Sequence, residues 1–105
     1  MTRGDVWWAE LPLPAGKRPV ILVSRESSYA IRSKVTVIEV STTIRLLPTE
    51  VPMGPAEGLP RPCVANADNL VTIPKQWLSS RIATLGPNKL KALDDALRFA
   101  LDLGE

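Results

Sequence analysis

The chain contains no histidine and a single cysteine, Cys63, among its 105 residues. Without histidine there is no imidazole general base, no cysteine–histidine nucleophile and no histidine-ligated metal. One cysteine closes no internal disulfide and builds no cysteine-ligated zinc site. We therefore expect no metal and no cofactor, and we look for chemistry among the arginine, carboxylate and hydroxyl side chains.

Long apolar runs are absent as well. No stretch approaches the roughly 18 apolar residues of a membrane helix, and the amino-terminal residues lack the apolar segment of a signal peptide. The composition, 45% apolar and 23% charged, is typical of a globular domain. We therefore expect a cytoplasmic protein with one domain over residues 1–105.

The charge is nearly balanced but unevenly distributed. Thirteen basic and eleven acidic residues leave a formal charge of +2. Residues 1–35 hold six basic residues against three acidic ones, whereas residues 36–74 hold two against four. The basic excess near the amino terminus permits an anionic partner without requiring one.

Proline and glycine divide the first two-thirds of the chain into short segments. Apolar and β-branched runs predict strands at residues 5–11, 20–24, 34–42, 48–53 and 63–73. The run at 20–24 is apolar throughout, which indicates a strand covered on both faces. Pro52 predicts that its strand lies at a sheet edge or contains a bulge. Residues 12–19 and 54–62 are predicted to be loops.

The last third has a helical pattern. Residues 74–80 predict one or two helical turns, and residues 81–85 a closing strand. A helix is predicted to begin at Pro87 and to end before Gly104. Its apolar stripe consists of Leu90, Leu93, Leu97 and Leu101. Lys91 is predicted to pair with Asp95 on the solvent-exposed face. Short strands with one terminal helix predict a mainly β fold, a small barrel or strongly bent sheet capped by the helix.

Three tryptophans stand among only five aromatic residues. On a strand, Trp7 and Trp8 point to opposite faces. Trp7 shares its face with Ala9 and Leu11, so we assign it to the core. Trp8 is the candidate for an exposed ring that stacks an unpaired base. The alternative is that both rings pack inside, or that Trp8 lies in a subunit interface.

Arg18 is a candidate phosphate ligand. It ends a loop rich in proline and glycine, and Pro19 holds it extended before a buried strand. Its planar guanidinium suits a phosphate group at that strand end. The alternative is a solvated or ion-paired loop arginine.

Two further groups of polar side chains could take part in chemistry. Ser41, Thr42 and Thr43 end the third strand, where hydroxyls can bind a phosphate or simply form a turn. The segment from Asn66 to Asn69 could supply a base in Asp68, or it could be a bulge held by side-chain hydrogen bonds. Trp8, Arg18, Ser41 or Thr42, and Asp68 could converge on one rim of a small barrel.

In this order along the chain, these residues resemble the MazF/PemK/Kid family, the endoribonuclease toxins of type II toxin–antitoxin pairs. Residues 3–11 are similar to the opening strand of that family, and KRPVILVSR at 17–25 is similar to its R-P-V motif with the apolar strand. Residues 40–51, residues 63–73 and the leucine-rich helix also fit. The similarity covers nearly the whole chain.

The resemblance implies an SH3-like β-barrel with a carboxy-terminal helix, assembled as a homodimer. It implies metal-independent cleavage of single-stranded RNA at a short sequence, which leaves a 2′,3′-cyclic phosphate and a 5′-hydroxyl. It also implies a cognate antitoxin that restrains the toxin.

By position, Arg18 corresponds to the catalytic arginine of the family. Ser41, or Thr42 if the alignment slips by one, corresponds to its catalytic hydroxyl. Asp68 matches an aspartate of the Kid branch, which pairs it with an arginine where this chain has Asn66. The mechanism that fits better is therefore Arg18 with a hydroxyl. The residues expected to contact RNA are Trp8, Lys17, Arg25, Thr43, Arg45, Asn66 and Asn69.

Two other functions remain open for such a chain. One is a non-catalytic toxin of the gyrase-poison type on the same fold, and the other is an RNA-binding barrel without cleavage. Fold does not fix function, so the site has to discriminate among them. The combination of Arg18 with Ser41 or Thr42 favours the nuclease.

Overall fold

Six strands and one carboxy-terminal helix make up the fold in the computed structural model, which describes residues 1–104. The elements are β1 (Asp5–Glu10), β2 (Lys17–Leu22), β3 (Lys34–Ser41), β4 (Glu50–Met53), β5 (Cys63–Pro74), β6 (Leu78–Thr84) and α1 (Pro87–Ala100). Three short 3₁₀ turns lie at Glu26–Ser28, Pro55–Glu57 and Lys75–Trp77.

The strands form one antiparallel sheet in the order β4-β5-β3-β2-β1-β6. The sheet curls into a half-barrel, so the predicted mainly β fold with a capping helix is confirmed. β4 lies at one edge, where Pro52 pairs with Val64. Because proline has no N–H to donate to a ladder, this edge position is the one that Pro52 predicted.

The central strands are buried on both faces, as the apolar run at 20–24 predicted. Val20 and Leu22 pack in one apolar cluster, and Ile21 between them packs in the other. β3 repeats the alternation, because Val37 joins the first cluster and Ile38 the second. The apolar residues of the two central strands therefore contribute to both clusters, while Thr36 and Glu39 of β3 stay partly exposed.

The helix covers the cluster that contains Ile21. Pro87 stands at its first position, and Leu93, Ala96 and Leu97 are buried against the sheet. The prediction that Leu101 continues the buried stripe is wrong. The helix ends at Ala100, and Leu101 leaves the helical conformation with half of its surface exposed.

The exposed face of the helix carries the predicted ion pair. Lys91 Nζ lies 3.0 Å from Asp95 Oδ2, and Arg98 Nη1 lies 3.0 Å from Asp95 Oδ1. The hydrogen bond from Lys91 is the largest of the effects that lower the pKa of Asp95. No helix in residues 1–104 has the length and apolarity to cross a membrane.

Several strand limits differ from the predicted ones. β2 begins at Lys17 rather than Val20, because Lys17 and Arg18 pair with Glu10 and Ala9 of β1. β6 begins at Leu78, which reduces the predicted helical turns of residues 74–80 to a single 3₁₀ turn. Cross-strand pairing adds these residues to the sheet, although their local sequence favours loops and turns.

A wide irregularity interrupts the pairing of β3 with β5. Ile38 pairs with Leu70, but Val40 pairs with Ala65, so residues 66–69 lie opposite the single residue Glu39. The amide of Asp68 donates to Asn66 Oδ1 over 3.0 Å. The polar segment of β5 is thus a bulge held by a side-chain hydrogen bond, which was one of its two predicted interpretations.

Asp5 joins the amino terminus to the two strands at one edge of the sheet. Its buried carboxylate accepts bonds from Thr2 N at 2.9 Å, Thr2 Oγ1 at 2.8 Å and Thr84 Oγ1 at 2.8 Å. Burial on its own raises the pKa of Asp5, but the hydrogen bonds from Thr2, Thr84 and Trp7 together outweigh it and lower that pKa. The ionised form therefore stabilises the fold.

We predict that Asp5→Asn lowers the free energy of unfolding at neutral pH by about 1–3 kcal/mol, because an amide replaces a charged acceptor. The folded-state pKa is lowered, so this stabilisation is present above the unfolded pKa of about 3.9. It is lost as the pH falls through the folded value. Denaturant melts from acid to neutral pH measure the difference between the two proteins.

The control is Asp102→Asn, which removes the same charge at an exposed position. It should melt like the unsubstituted chain across this pH range. Equal stability of Asp5→Asn and Asp102→Asn at neutral pH would contradict the role of Asp5.

Candidate active site

A cleft of about 460 Å³ opens where β2 begins and β3 ends. It lies at one end of the central hairpin, against the apolar cluster that contains Ile21, because Val40, Leu59 and Cys63 belong to both. The lining residues are Trp8, Lys17, Arg18, Pro19, Val40, Ser41, Thr42, Thr43, Leu59, Pro60, Arg61 and Cys63. The structure therefore brings Trp8, Arg18, Ser41 and Thr42 together, as the sequence suggested, and does not include Asp68 among them.

Arg18 is the second residue of β2, not the last residue of a loop, and it pairs with Ala9 of β1. Its guanidinium Nη1 lies 4.0 Å from Glu39 Oε1, with about a third of each side chain exposed. An exposed ion pair at that distance contributes little. Most of the guanidinium donors are therefore available to a ligand in the cleft, on a side chain whose backbone is fixed by the sheet.

Ser41 is the last residue of β3 and is half-buried. The β2–β3 register pairs Val20 with Glu39, and the same register extended by two residues places Arg18 across from Ser41. Ser41 Oγ accepts the amide of Thr43 over 3.1 Å, which leaves its O–H free to donate. Thr42 is exposed in the turn that follows. The cleft thus pairs one cation with one oriented hydroxyl.

Trp8 and Lys17 form a second side of the cleft. Lys17 Nζ lies 5.3 Å from the centroid of the Trp8 ring, a cation–π distance. Trp7 packs against the cluster that contains Ala9, as predicted, whereas Trp8 lines the cleft and is half-buried rather than exposed. A half-buried indole beside a lysine offers a stacking surface next to a positive charge.

Arg61 and Cys63 line the cleft but were not among the predicted site residues. Arg61 lies in the loop before β5 and has no ion pair within residues 1–104. The sequence offered one weak indication of its role, namely that Arg61 is one of only two basic residues between positions 36 and 74. Burial, followed by the charge of Glu57, raises the pKa of the Cys63 thiol. That thiol therefore stays protonated and is a poor nucleophile.

The other predicted RNA contacts lie outside this cleft. Arg25 lines a different cleft, near the opposite end of the hairpin. Arg45 belongs to the exposed β3–β4 loop, where its amide donates to Glu50 Oε1 at 3.0 Å. Asn66, Asp68 and Asn69 belong to the β5 bulge. Of the residues expected to contact RNA, Arg25 therefore does not share a cleft with Lys17, because the two lie near opposite ends of β2.

Carboxylates are sparse around the cleft. Within residues 1–104, Glu39 is the one carboxylate that forms an ion pair with a lining residue. Within residues 1–104, no three histidine, cysteine, aspartate or glutamate side chains are grouped so that they could hold a metal ion. The cations of the cleft are Lys17, Arg18 and Arg61, so the arrangement is suited to binding an anion and donating hydrogen bonds to it.

Known proteins are similar to this chain in sequence and in fold. Residues 2–101 match the family of PemK-like, MazF-like toxins of type II toxin–antitoxin systems. The chain is 33% identical over 101 residues to the probable endoribonuclease MazF5 of Mycobacterium tuberculosis, which covers 95% of this chain and 92% of that protein. It is 40% identical over 86 residues to endoribonuclease MazF3 of the same organism, which covers 82% of this chain and 84% of the relative.

Two solved structures are similar over almost their full length. The M. tuberculosis toxin MazF-mt6 superposes with a TM-score of 0.88 at 36% identity, covering 96% of this chain and 99% of that one. A mycobacterial endoribonuclease in complex with its cognate antitoxin gives a TM-score of 0.87 at 31% identity, covering 100% and 98%. The chain belongs to the PemK/MazF family of type II toxins.

Proposed function

We propose that this chain is an endoribonuclease toxin that cleaves single-stranded RNA in the cleft between Arg18 and Ser41. The observation that carries the proposal is the placement of a guanidinium across from a free O–H donor at the ends of two buried strands. Relatives that cover most of the chain are named endoribonucleases, which supports the same activity.

The chemistry needs no nucleophile from the protein. The ribose 2′-oxygen attacks the adjacent phosphorus, the bond from phosphorus to the 5′-oxygen breaks, and a 2′,3′-cyclic phosphate and a 5′-hydroxyl are left. The 2′-hydroxyl loses its proton and the leaving 5′-oxygen gains one. Negative charge develops on the phosphoryl oxygens, where Arg18 and the Ser41 hydroxyl donate hydrogen bonds. Fixed strand ends hold both donors in place before the reaction.

The walls of the cleft favour an unpaired strand. The Trp8 ring stacks on a base only when that base has left its partner, and Lys17 beside it neutralises a neighbouring phosphate. Leu59 and Pro60 supply apolar surface on another side. We assign Trp8, Lys17 and Thr43 to RNA binding, and we add Arg61 to that set.

Homodimer formation and restraint by a cognate antitoxin complete the proposal. A relative at 31% identity has been solved with its cognate antitoxin. In this chain, the loops beside the cleft expose apolar side chains, with Leu13 at 87% and Leu46 at 89% of their surface. Leu46 has exposed apolar neighbours in Ile44 and Leu47, and clustered exposed apolar groups mark protein contacts. The cytoplasm, where messenger RNA is available, is the compartment in which such a toxin acts.

The gyrase-poison and RNA-binding alternatives have no specific observation in their favour. Neither needs a hydroxyl donor across from an arginine in a cleft, whereas RNA cleavage uses both. The named relatives are nucleases. New RNA ends with a cyclic phosphate identify the nuclease, DNA damage without RNA cuts identifies the gyrase poison, and a mobility shift without cleavage identifies the RNA binder.

We predict that Arg18→Ala lowers the cleavage rate by about 10²–10³-fold, because one transition-state donor is lost. Arg18→Lys should also be slow, because an ammonium keeps the charge and loses the planar fork. The free energy of unfolding of either variant, obtained from its thermal melt, should fall by no more than about 1 kcal/mol. The control is Arg81→Ala on β6, an exposed arginine outside the cleft. Cleavage by Arg18→Ala at the unsubstituted rate would refute the mechanism.

A second prediction identifies the hydroxyl. Ser41→Ala should slow cleavage by about tenfold or more, while Thr42→Ala and Asp68→Asn should have smaller effects. The reason is that Ser41 lies across from Arg18, Thr42 is exposed, and Asp68 lies in the β5 bulge. Single-turnover rates on one defined RNA compare the three. If Asp68→Asn did not cleave RNA while Ser41→Ala cleaved it at the unsubstituted rate, Asp68 rather than Ser41 would be the catalytic group.

Cleavage is predicted to continue in EDTA, because the charge stabilisation comes from Arg18 and a hydroxyl. A long defined RNA is incubated with and without the chelator, and its cut ends are mapped. The expected products carry a 2′,3′-cyclic phosphate and a 5′-hydroxyl. Activity that disappears in EDTA and returns with Mg²⁺ would contradict the prediction.

A further inference from the structure

A second basic cleft lies near the other end of the same central hairpin. It has a volume of about 310 Å³ and is formed where β2 ends and β3 begins. Three cations line it, namely Arg25, Arg32 and Lys34. Hydroxyl groups from Ser24, Ser28, Thr36 and Thr72 complete its polar lining, and no carboxylate lines it.

The three cations are exposed, and none of them forms an ion pair within residues 1–104. The nearest acidic residue in sequence, Glu26, is engaged elsewhere. Its carboxylate accepts a hydrogen bond from the Arg3 amide over 2.6 Å. Glu26 lines a different hollow, together with Tyr29. The positive charge of the cleft is therefore not compensated by the protein itself.

The loop that carries Arg25 and Arg32 is held rigidly. Buried Tyr29 donates its hydroxyl to Ser24 O over 3.0 Å, and burial, followed by the charge of Glu26, raises the pKa of Tyr29 to about 12. The Arg32 amide donates to Ser28 O over 2.9 Å. The backbone positions of the cations are consequently fixed before any ligand arrives, which reduces the entropy lost on binding.

The floor of the cleft is a pair of hydroxyls. Thr36 Oγ1 and Thr72 Oγ1 lie 2.9 Å apart across β3 and β5. In such a pair one hydroxyl donates to the other, so one O–H remains free to donate to a ligand. Guanidinium, ammonium and hydroxyl donors around one hollow are the groups that bind phosphate oxygens.

We propose that this basic cleft, lined by Arg25, Arg32 and Lys34, binds backbone phosphates of the RNA strand at a distance from the cut. The inference rests on the proposed ribonuclease function for the identity of the ligand. Ser24 lies six residues after Arg18 along β2 and its continuation. At a strand rise of about 3.3 Å per residue, the two positions are about 20 Å apart. One RNA strand would therefore reach both clefts only if it extends beyond the nucleotides that flank the scissile bond.

The test compares binding of a long and a short RNA. The probes are 2′-O-methyl RNAs of about 30 and about 6 nucleotides, the short one centred on the mapped cut site. They cannot be cleaved, because their 2′-oxygens are blocked. The variant is Arg32→Gln with Lys34→Gln. The matched control is Arg81→Gln with Lys91→Gln, which removes the same charge from positions outside both clefts.

The variant should bind the long probe about tenfold more weakly near 0.1 M salt and bind the short probe as before. The slope of log affinity against log salt should fall by about 1.4 for the long probe, since two cations contribute about 0.7 each on a single strand. The control pair should leave both affinities unchanged. This combination is the expected result.

Three outcomes would overturn the inference: unchanged affinity for the long probe, an equal loss for both probes, or an equal loss in the control pair. Unchanged RNA affinity with a lost affinity for a polyglutamate peptide would instead assign the cleft to an acidic protein. Failure of the proposed function is seen separately, as the absence of RNA cleavage by the unsubstituted chain. Binding of the long uncleavable probe by the variant and by the control pair does not depend on that activity.

Discussion

The burial of β2 and β3 on both faces is the constraint on which the rest of the molecule depends. Val20 and Leu22 point into one apolar cluster and Ile21 into the other, so the middle of β2 has no face left for a polar side chain. Buried apolar area stabilises this hairpin by about 25 cal/mol per Å². Both clefts form at the two ends of this hairpin, where basic and hydroxyl side chains line them.

The antiparallel direction of the hairpin decides which residues meet at each end. The start of β2 lies beside the end of β3, which brings Arg18 and Ser41 together from positions 23 residues apart. The end of β2 lies beside the start of β3, which gathers Arg25 and Lys34. A basic excess that is continuous in the amino-terminal sequence is thereby divided between two separate surfaces.

Predictions that depended on local chemistry were confirmed. Strand alternation separated Trp7 from Trp8, the lack of an N–H placed Pro52 at the sheet edge, and leucine spacing predicted the helix from Pro87. Predictions failed where pairing partners decided the outcome. β1 extends β2 back to Lys17, and the bulge opposite Glu39 leaves Asp68 outside the cleft. No periodicity within β2 or β5 contains that information.

The sequence by itself determined the fold class, the two-faced central strands, the family and the pairing of an arginine with a hydroxyl as the candidate chemistry. Each of these depends on residue type and on spacing within one element. Only the tertiary structure decided that Ser41 is half-buried at the end of β3 whereas Thr42 is exposed, that Arg61 lines the cleft with Arg18, and that Arg25 lines another one. The physical reason is that register and bulges arise from hydrogen bonding between strands distant in sequence, which no single segment encodes.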